Sequence, residues 1–244
     1  MTVPVRVGFL LEGYDPYIVR GFVARLLDIP EERLHLDAFS AAGRGWESVL
    51  QAVPDFLRKY YGICSQAVVL GVDNDGGLDL TQAGLTEDPS RPRHWNHMGQ
   101  ESAKCRVCRL ERTISETRPA LDWVHEKSAA DWPVLIAVAV ETIESWFLEA
   151  RHIADGEVGR LGQEDMNRMG QKQLFYGRPV PTREDVLEIA LPLVRRLTNV
   201  QIVRLRGASR SFDFLATQVD AARARILGPT DCWGPGDRGA EIPD

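Results

Sequence analysis

The stretches VPVRVGFLLEG at residues 3–13 and AVVLGVDNDGG at residues 67–77 decide the fold of this 244-residue chain. Each is a run of mostly aliphatic residues that ends abruptly in acidic residues and glycine. Such runs are typical of strands that are buried on both faces of a parallel sheet. A third run, VLIAVAV at residues 134–140, has the same character. We therefore expect these runs to form strands of one sheet.

Segments with helical periodicity separate the strands. Residues 17–27 and 46–60 carry apolar residues at helical spacing, whereas residues 33–39 alternate as a further strand. This alternation of strands and helices predicts an α/β fold with a mostly parallel sheet. Further helices are predicted at residues 115–127, 142–153, 182–196 and 211–227.

The pattern also predicts how the chain is organised. Residues 76–112 are rich in Gly, Pro, Arg and His and lack periodicity, which indicates an insertion. We expect an α/β core over residues 1–153 and a helical C-terminal extension over 154–227 that packs on it. Within the extension, residues 154–181 are polar and suggest a long connection or lid. The tail 228–244 is expected to be mobile.

Composition excludes several classes of protein. Hydrophobic residues make up 44% and charged residues 26%, which is ordinary for a globular domain and rules out disordered and fibrous classes. The longest apolar run is far shorter than the roughly 18–20 residues that span a bilayer, so no membrane partner is expected. The N-terminus lacks the features of a secretory signal, and four cysteines do not make a disulfide scaffold. These features predict a soluble cytoplasmic protein.

The charge is unevenly distributed. The net charge of −6 argues against a protein that coats nucleic acid nonspecifically, and it arises entirely within residues 1–90. Residues 91–112 carry six basic and two acidic residues, and residues 193–225 carry seven and two. These patches are either basic binding surfaces or solvated charge without a partner.

Acidic residues follow three of the predicted strands: Glu12, Asp73 with Asp75, and Glu141 with Glu144. Ligands of open parallel sheets bind at the carboxyl ends of the strands, and several carboxylate oxygens are what Mg²⁺ requires. Taken singly, each acid also suits an ordinary cap or turn. Their combination after strongly apolar strands favours a metal site that serves phosphoryl chemistry.

These residues also resemble a known family. FLLEGYDP at residues 9–16 and VVLGVDND at 68–75 resemble the TOPRIM signature, a Glu after the first strand and an Asp-x-Asp after a later one. TOPRIM domains occur in topoisomerases, primases and overcoming-lysogenization-defect nucleases. VLIAVAVETIESWFLEA at 134–150, the later Lys172 and SRSFDFLATQV at 209–219 resemble an uncharacterised bacterial TOPRIM-like family that is often encoded near ATPases in defence loci.

The resemblance implies roles for the acidic residues. Glu12 would act as an acid–base residue or bind metal, and Asp73 and Asp75 would bind Mg²⁺ or Mn²⁺. Glu144, together with Glu141, would complete the cluster. The sequence departs from the family pattern at Glu149-Ala150, where a small residue and then an acid are usual. Glu149 is therefore not included in the expected site.

The resemblance also implies a function. It predicts a TOPRIM/Rossmann-like sheet and a Mg²⁺-dependent nuclease that hydrolyses phosphodiester bonds of DNA or RNA. Such a nuclease would be an effector of antiphage or abortive-infection defence and would work with an AAA- or ABC-type ATPase partner. The alternative is a non-catalytic scaffold, or a subunit that binds nucleic acid or the ATPase. The oligomeric state stays open.

Cysteine and histidine pairs inside the insertion predict a second metal. His94 and His97 form a His-x2-His pair, and Cys105 and Cys108 form a Cys-x2-Cys pair. These residue types at this spacing are typical of a structural Zn²⁺ site, which would supply folding energy to a segment short of core. The alternative is two reduced thiols in a loop beside unrelated surface histidines.

Four basic residues are candidates for contact with nucleic acid. Arg204, Arg206 and Arg210 cluster around a Gly-Ala-Ser segment, and arginine pairs well with phosphate oxygens. Lys172 lies in the polar connection and is expected to reach the substrate. The alternative for the arginine cluster is an edge strand followed by the start of a helix.

Overall fold

Four parallel strands form the centre of the fold in a computed structural model of the chain. They are β1 (Val5–Leu11), β2 (Leu34–Ala38), β3 (Ala67–Asn74) and β6 (Val134–Val140), in the order β2-β1-β3-β6. Two short strands, β4 (Thr86–Glu87) and β5 (Trp95–Asn96), form a separate antiparallel pair. The predicted α/β architecture with a parallel sheet is confirmed. The structure describes residues 4–13, 16–41, 45–74, 86–87, 95–96, 105–122, 129–140, 143–156 and 168–228.

Helices cover both faces of the sheet. Those in the N-terminal part are α1 (Pro16–Leu27), α2 (Trp46–Gly62) and α3 (Arg106–Leu121). Those after the last strand are α4 (Glu144–Ala154), α5 (Arg168–Tyr176), α6 (183–196), α7 (Asn199–Ala208) and α8 (Arg210–Leu227). Helix α6 begins with an α turn at Arg183–Asp185, widens to a π-helix over Val186–Ala190 and ends as an α-helix over Leu191–Arg196.

Side chains of the strands alternate between two apolar layers, as they do in any strand. Phe9 and Val69 belong to the layer that contains α1 and helices α4 to α8. Leu10 and Val72 belong to the opposite layer, which contains α2 and α3. Because all four strands are parallel, their carboxyl ends meet at one edge, between the two layers.

The predicted start of α3 at residue 115 is wrong, because the helix already begins at Arg106. Val107, Leu110 and Ile114 are buried at helical spacing and pack with α2 in the same apolar layer. Arginines between them interrupt the apolar pattern in the sequence. The helix therefore includes the last residues of the segment that we interpreted as an insertion.

The structure adds detail to the C-terminal part. The segment 154–181, which we expected to be a long connection or lid, includes the nine-residue helix α5, and the arginine-rich segment after residue 198 forms α7, so the alternative of an edge strand is excluded. The Thr198 hydroxyl caps α7 by accepting a hydrogen bond from the Gln201 amide. Ile202 is buried whereas Val203 beside it is 68% exposed, so apolar residues lie on both sides of α7 and hide its period.

Among the helices that the structure describes, none combines the length and apolar character needed to cross a membrane. The predicted tail lies outside the described residues apart from Gly228.

Candidate metal centre at the carboxyl edge of the sheet

Glu12 and Asp73 lie at the ends of neighbouring strands. The Glu12 amide donates a hydrogen bond to the Gly71 carbonyl at 2.8 Å, which continues the pairing of β1 with β3. Asp73, the penultimate residue of β3, pairs in register with Ala139 of β6 and is only 2% exposed. The parallel sheet therefore delivers two of the predicted acids to one edge.

Glu144 is delivered to the same edge by the first turn of α4. It is 4% exposed, and its carboxylate lies near the amino end of the helix, where the helix dipole favours negative charge. The rotation of α4 is held by Trp146, which is fully buried and donates a hydrogen bond from its indole nitrogen to the Ser211 hydroxyl at 2.6 Å. Phe147 and Leu148 are buried as well, so this run belongs to the core and is not a substrate platform.

Arg106, the first residue of α3, is a site residue that the sequence did not reveal. Its guanidinium pairs with a Glu12 carboxylate oxygen at 3.0 Å, and the same nitrogen donates to the Asp73 main-chain carbonyl. The side chains of Arg106 and Glu12 are only 17% and 13% exposed. The guanidinium also lies 5.5 Å from the centre of the Trp46 ring. A cation of the protein itself therefore sits between the ends of β1 and β3.

Alternation along the strands predicts that the Glu12 and Asp73 side chains leave different faces of the sheet. Glu12 is held by Arg106 of α3, on the face covered by α2 and α3. Asp73 follows Val72, whose side chain lies in that same layer, so alternation along β3 directs the Asp73 side chain to the opposite face. The two acids thus lie at neighbouring strand ends.

A cleft of about 680 Å³ opens beside Glu144. Gly13, two residues after the end of β1, lines the cleft together with residues of α5 and of the start of α6. Lys172 and Arg183 contribute positive charge, and Val180, which is 79% exposed, contributes an apolar rim. The structure therefore brings Lys172 and Glu144 together, although they are far apart in the sequence.

Tyr176 adds a buried hydroxyl next to this cleft. It lies one helical turn after Lys172 on α5, is 7% exposed, and its hydroxyl has no hydrogen-bond partner among the described residues. Burial raises the pKa of Tyr176, and the nearby Glu144 carboxylate raises it further. The hydroxyl therefore stays neutral and can donate a hydrogen bond. The sequence did not indicate that Tyr176 lies near Glu144, because a tyrosine at this spacing in a helix is typical of an ordinary core residue.

Several predicted site residues lie outside the described residues: Asp75, Glu141, His94 and His97. Their expected roles as metal ligands remain predictions. Glu149, which we left out of the expected set, is 1% exposed within α4.

The cysteine pair flanks Arg106. Cys105 directly precedes α3 and Cys108 lies in its first turn, and they are 1% and 3% exposed within the apolar layer formed with α2. Both are thiols rather than disulfide-bonded. Zinc remains a prediction, because the histidines that would join them lie outside the described part of the chain.

The arginine cluster lies on the C-terminal helices and does not line the cleft. Arg206 pairs with Asp213 at 2.8 Å and with Asp220 at 2.7 Å, so acids of α8 already hold it. Arg204 and Arg210 are exposed. A role for Arg204 and Arg210 in phosphate contact stays a prediction, whereas the two ion pairs make Arg206 a link between α7 and α8.

The donor chemistry at the edge fits a hard divalent cation. Buried carboxylates supply the oxygen ligands that Mg²⁺ and Mn²⁺ prefer, and Glu12, Asp73 and Glu144 are the described residues that would hold the ion. Among the described residues, however, no group of three or more acidic, histidine or cysteine side chains is arranged to hold a metal ion. The described carboxylates therefore have the right chemistry, and Asp75 and Glu141, which would complete the expected set, lie outside the described residues.

No protein-family model, no curated protein and no solved structure matches this chain, so functional inference rests on its own residues and geometry.

Proposed function

We propose that this chain is a divalent-metal-dependent hydrolase of phosphodiester bonds in DNA or RNA. The observation that carries the proposal is the buried Glu144 carboxylate in a cleft that also contains Lys172, at the edge where Asp73 is buried as well. Carboxylates beside cations at the carboxyl ends of parallel strands are suited to phosphate chemistry.

Each described residue has a role in this proposal. Glu12, Asp73 and Glu144 would bind Mg²⁺ or Mn²⁺, which stabilises the negative charge that develops on the phosphate oxygens. The Lys172 ammonium pairs with a phosphate oxygen and orients the scissile group in the cleft. The Tyr176 hydroxyl, which has no hydrogen-bond partner among the described residues, stays neutral near Glu144 and adds no negative charge to the cleft. A role in antiphage defence with an ATPase partner rests on the sequence resemblance alone.

A nuclease assay tests the proposal. Single-stranded DNA, duplex DNA and RNA are incubated with the purified chain and Mg²⁺ or Mn²⁺, and cleavage is followed on gels. We expect Asp73→Asn and Glu144→Gln each to lower the cleavage rate by at least about 100-fold, because each removes a metal ligand without changing shape. Glu116→Gln, an exposed acid of α3, is the matched control and should cleave at the wild-type rate.

Lys172→Ala separates substrate binding from chemistry. We expect it to raise KM more than it lowers kcat, because the lysine contacts the substrate in the ground state as well as in the transition state. Wild-type chain that cleaves none of the substrates, or cleavage that survives in both acid variants, would overturn the assignment.

The second candidate is a non-catalytic scaffold that binds nucleic acid or an ATPase. It is favoured by the ion pair between Glu12 and Arg106, which neutralises the very acid that catalysis requires. Fluorescence anisotropy with labelled oligonucleotides distinguishes the two functions. Binding without cleavage at any metal concentration supports the scaffold.

A further inference from the structure

The position of Arg106 bears on how the proposed site assembles, and it was not anticipated by the sequence. One guanidinium nitrogen contacts both the Glu12 carboxylate and the Asp73 main-chain carbonyl. Arg106 is the first residue of α3, and alternation along β3 predicts that the Asp73 side chain is directed to the face of α1 and α4. The guanidinium neutralises the Glu12 carboxylate at the edge where Asp73 is buried.

We propose that Arg106 is a positioning residue that pairs with Glu12 in competition with a divalent cation, so that a cation that binds there displaces the guanidinium. The proposal rests on the proposed function, since it concerns the same three carboxylates. The cation and the guanidinium compete for Glu12 because both neutralise its charge.

The surroundings of Arg106 provide a place for the displaced guanidinium. Trp46 lies beneath both Arg106 and Arg109, at 5.5 and 5.4 Å from its ring centre. Glu47, the next residue along α2, is 62% exposed and is paired with Arg109 at 2.7 Å. Once released, Arg106 retains its contact with the Trp46 ring and lies near the Glu47 carboxylate, so the release does not strand a buried charge.

Arg109 supplies a matched control. Both arginines lie on the same helix, stack on the same ring and pair with a glutamate, but only Arg106 contacts the carboxyl edge. Replacing either residue with glutamine removes one positive charge and one cation–π contact. A difference between the two variants therefore reports on the contact with Glu12 and Asp73.

The experiment is a titration of the purified chain with Mn²⁺, followed by calorimetry or by electron paramagnetic resonance of the unbound ion. We expect Arg106→Gln to bind Mn²⁺ about tenfold more tightly than wild type, because a competing cation is gone, and Arg109→Gln to stay within about twofold. Arg106→Lys, whose ammonium is a compact point charge that makes no bidentate pair, should show a smaller gain of about threefold. The Arg106→Lys variant provides an independent test if Arg106→Gln fails to fold.

Two further variants separate failure of this inference from failure of the proposed function. Glu12→Gln and Asp73→Asn should each lose most Mn²⁺ binding. If they do and Arg106→Gln binds no more tightly than wild type, Arg106 is a structural pair and the inference is wrong while the metal site stands. If neither acid variant changes Mn²⁺ binding, the edge is not a metal site and the proposed function fails as well.

Discussion

Replacement of Tyr176 by phenylalanine should stabilise the folded chain. The Tyr176 ring is buried against the C-terminal helices, and its hydroxyl has no hydrogen-bond partner among the described residues. Tyr60 is the matched control, since it is also fully buried but donates a hydrogen bond to the Asp37 carbonyl at 3.0 Å. The same chemical change thus removes a hydroxyl without a hydrogen-bond partner at Tyr176 and a hydrogen-bonded hydroxyl at Tyr60.

The expected magnitudes follow from the burial of each hydroxyl. A buried polar group without a partner costs about 1–3 kcal/mol, so Tyr176→Phe should raise the free energy of unfolding by about 1 kcal/mol. For a chain of this length, 1 kcal/mol corresponds to a rise in Tm of about 2–4 °C. Tyr60→Phe should lower the free energy of unfolding by about 1 kcal/mol, because it leaves the Asp37 carbonyl without its donor.

Urea unfolding at pH 7, followed by circular dichroism, measures both changes against wild type. A Tyr176→Phe chain that is less stable than wild type would mean that the hydroxyl has a partner in solution and would refute the reasoning. So would equal shifts of the same sign in both variants.

The two tyrosines also predict how stability depends on alkaline pH. Burial raises the pKa of Tyr60 and of Tyr176 above the value of an exposed tyrosine, which is about 10. Above pH 10 the unfolded chain releases these protons and the folded chain keeps them, so the free energy of unfolding falls as pH rises. Tyr176→Phe should make this fall shallower, and an unchanged slope between pH 9 and 11 would contradict it.

Two further predictions concern stability alone. Gly8→Ala should lower the free energy of unfolding in urea by about 2–3 kcal/mol, because the new Cβ would lie 2.5 Å from the buried Tyr60 ring. Gly207→Ala, on the exposed side of a helix, should raise it by about 0.5–1 kcal/mol. A Gly8→Ala chain as stable as wild type would show that the Tyr60 ring can move. Burial raises the pKa of Glu31, but hydrogen bonds from two arginine side chains outweigh it and lower the pKa. Ionised Glu31 therefore stabilises the folded chain at pH values above the ordinary carboxyl pKa, and this stabilisation is lost as the pH falls and the carboxyl becomes protonated. Glu31→Gln should lower the free energy of unfolding by about 1 kcal/mol at pH 7 and by little at pH 3. Replacement of the exposed Glu32 by glutamine should leave it unchanged at both pH values. Equal losses for Glu31→Gln at both pH values would count against the ion pair.

The sheet and most of its helices were predictable from local pattern. The segments that form β1, β3 and β6 are apolar on both faces because helices cover the sheet on both sides. Burial on both faces requires a nearly continuous apolar run, which is visible in the sequence. Helix α6 was predictable for a similar reason, since Thr182 and Asp185 form a capping box that needs only four consecutive residues. Elements with mixed surroundings were not: α7 has apolar residues on both its buried and its exposed sides.

Local pattern also placed Glu12, Asp73 and Glu144 at one edge, because the carboxyl ends of parallel strands meet regardless of the order in which the strands pair. What each acid contacts was decided only by the tertiary structure. Arg106 reaches Glu12 across 94 residues, and Tyr176 approaches Glu144 through the packing of α5 on α4. Such contacts depend on strand order and on the rotation of each helix about its axis. Neither quantity has a local signature, since periodicity reports which side of an element is buried but not which residue of another element lies against it.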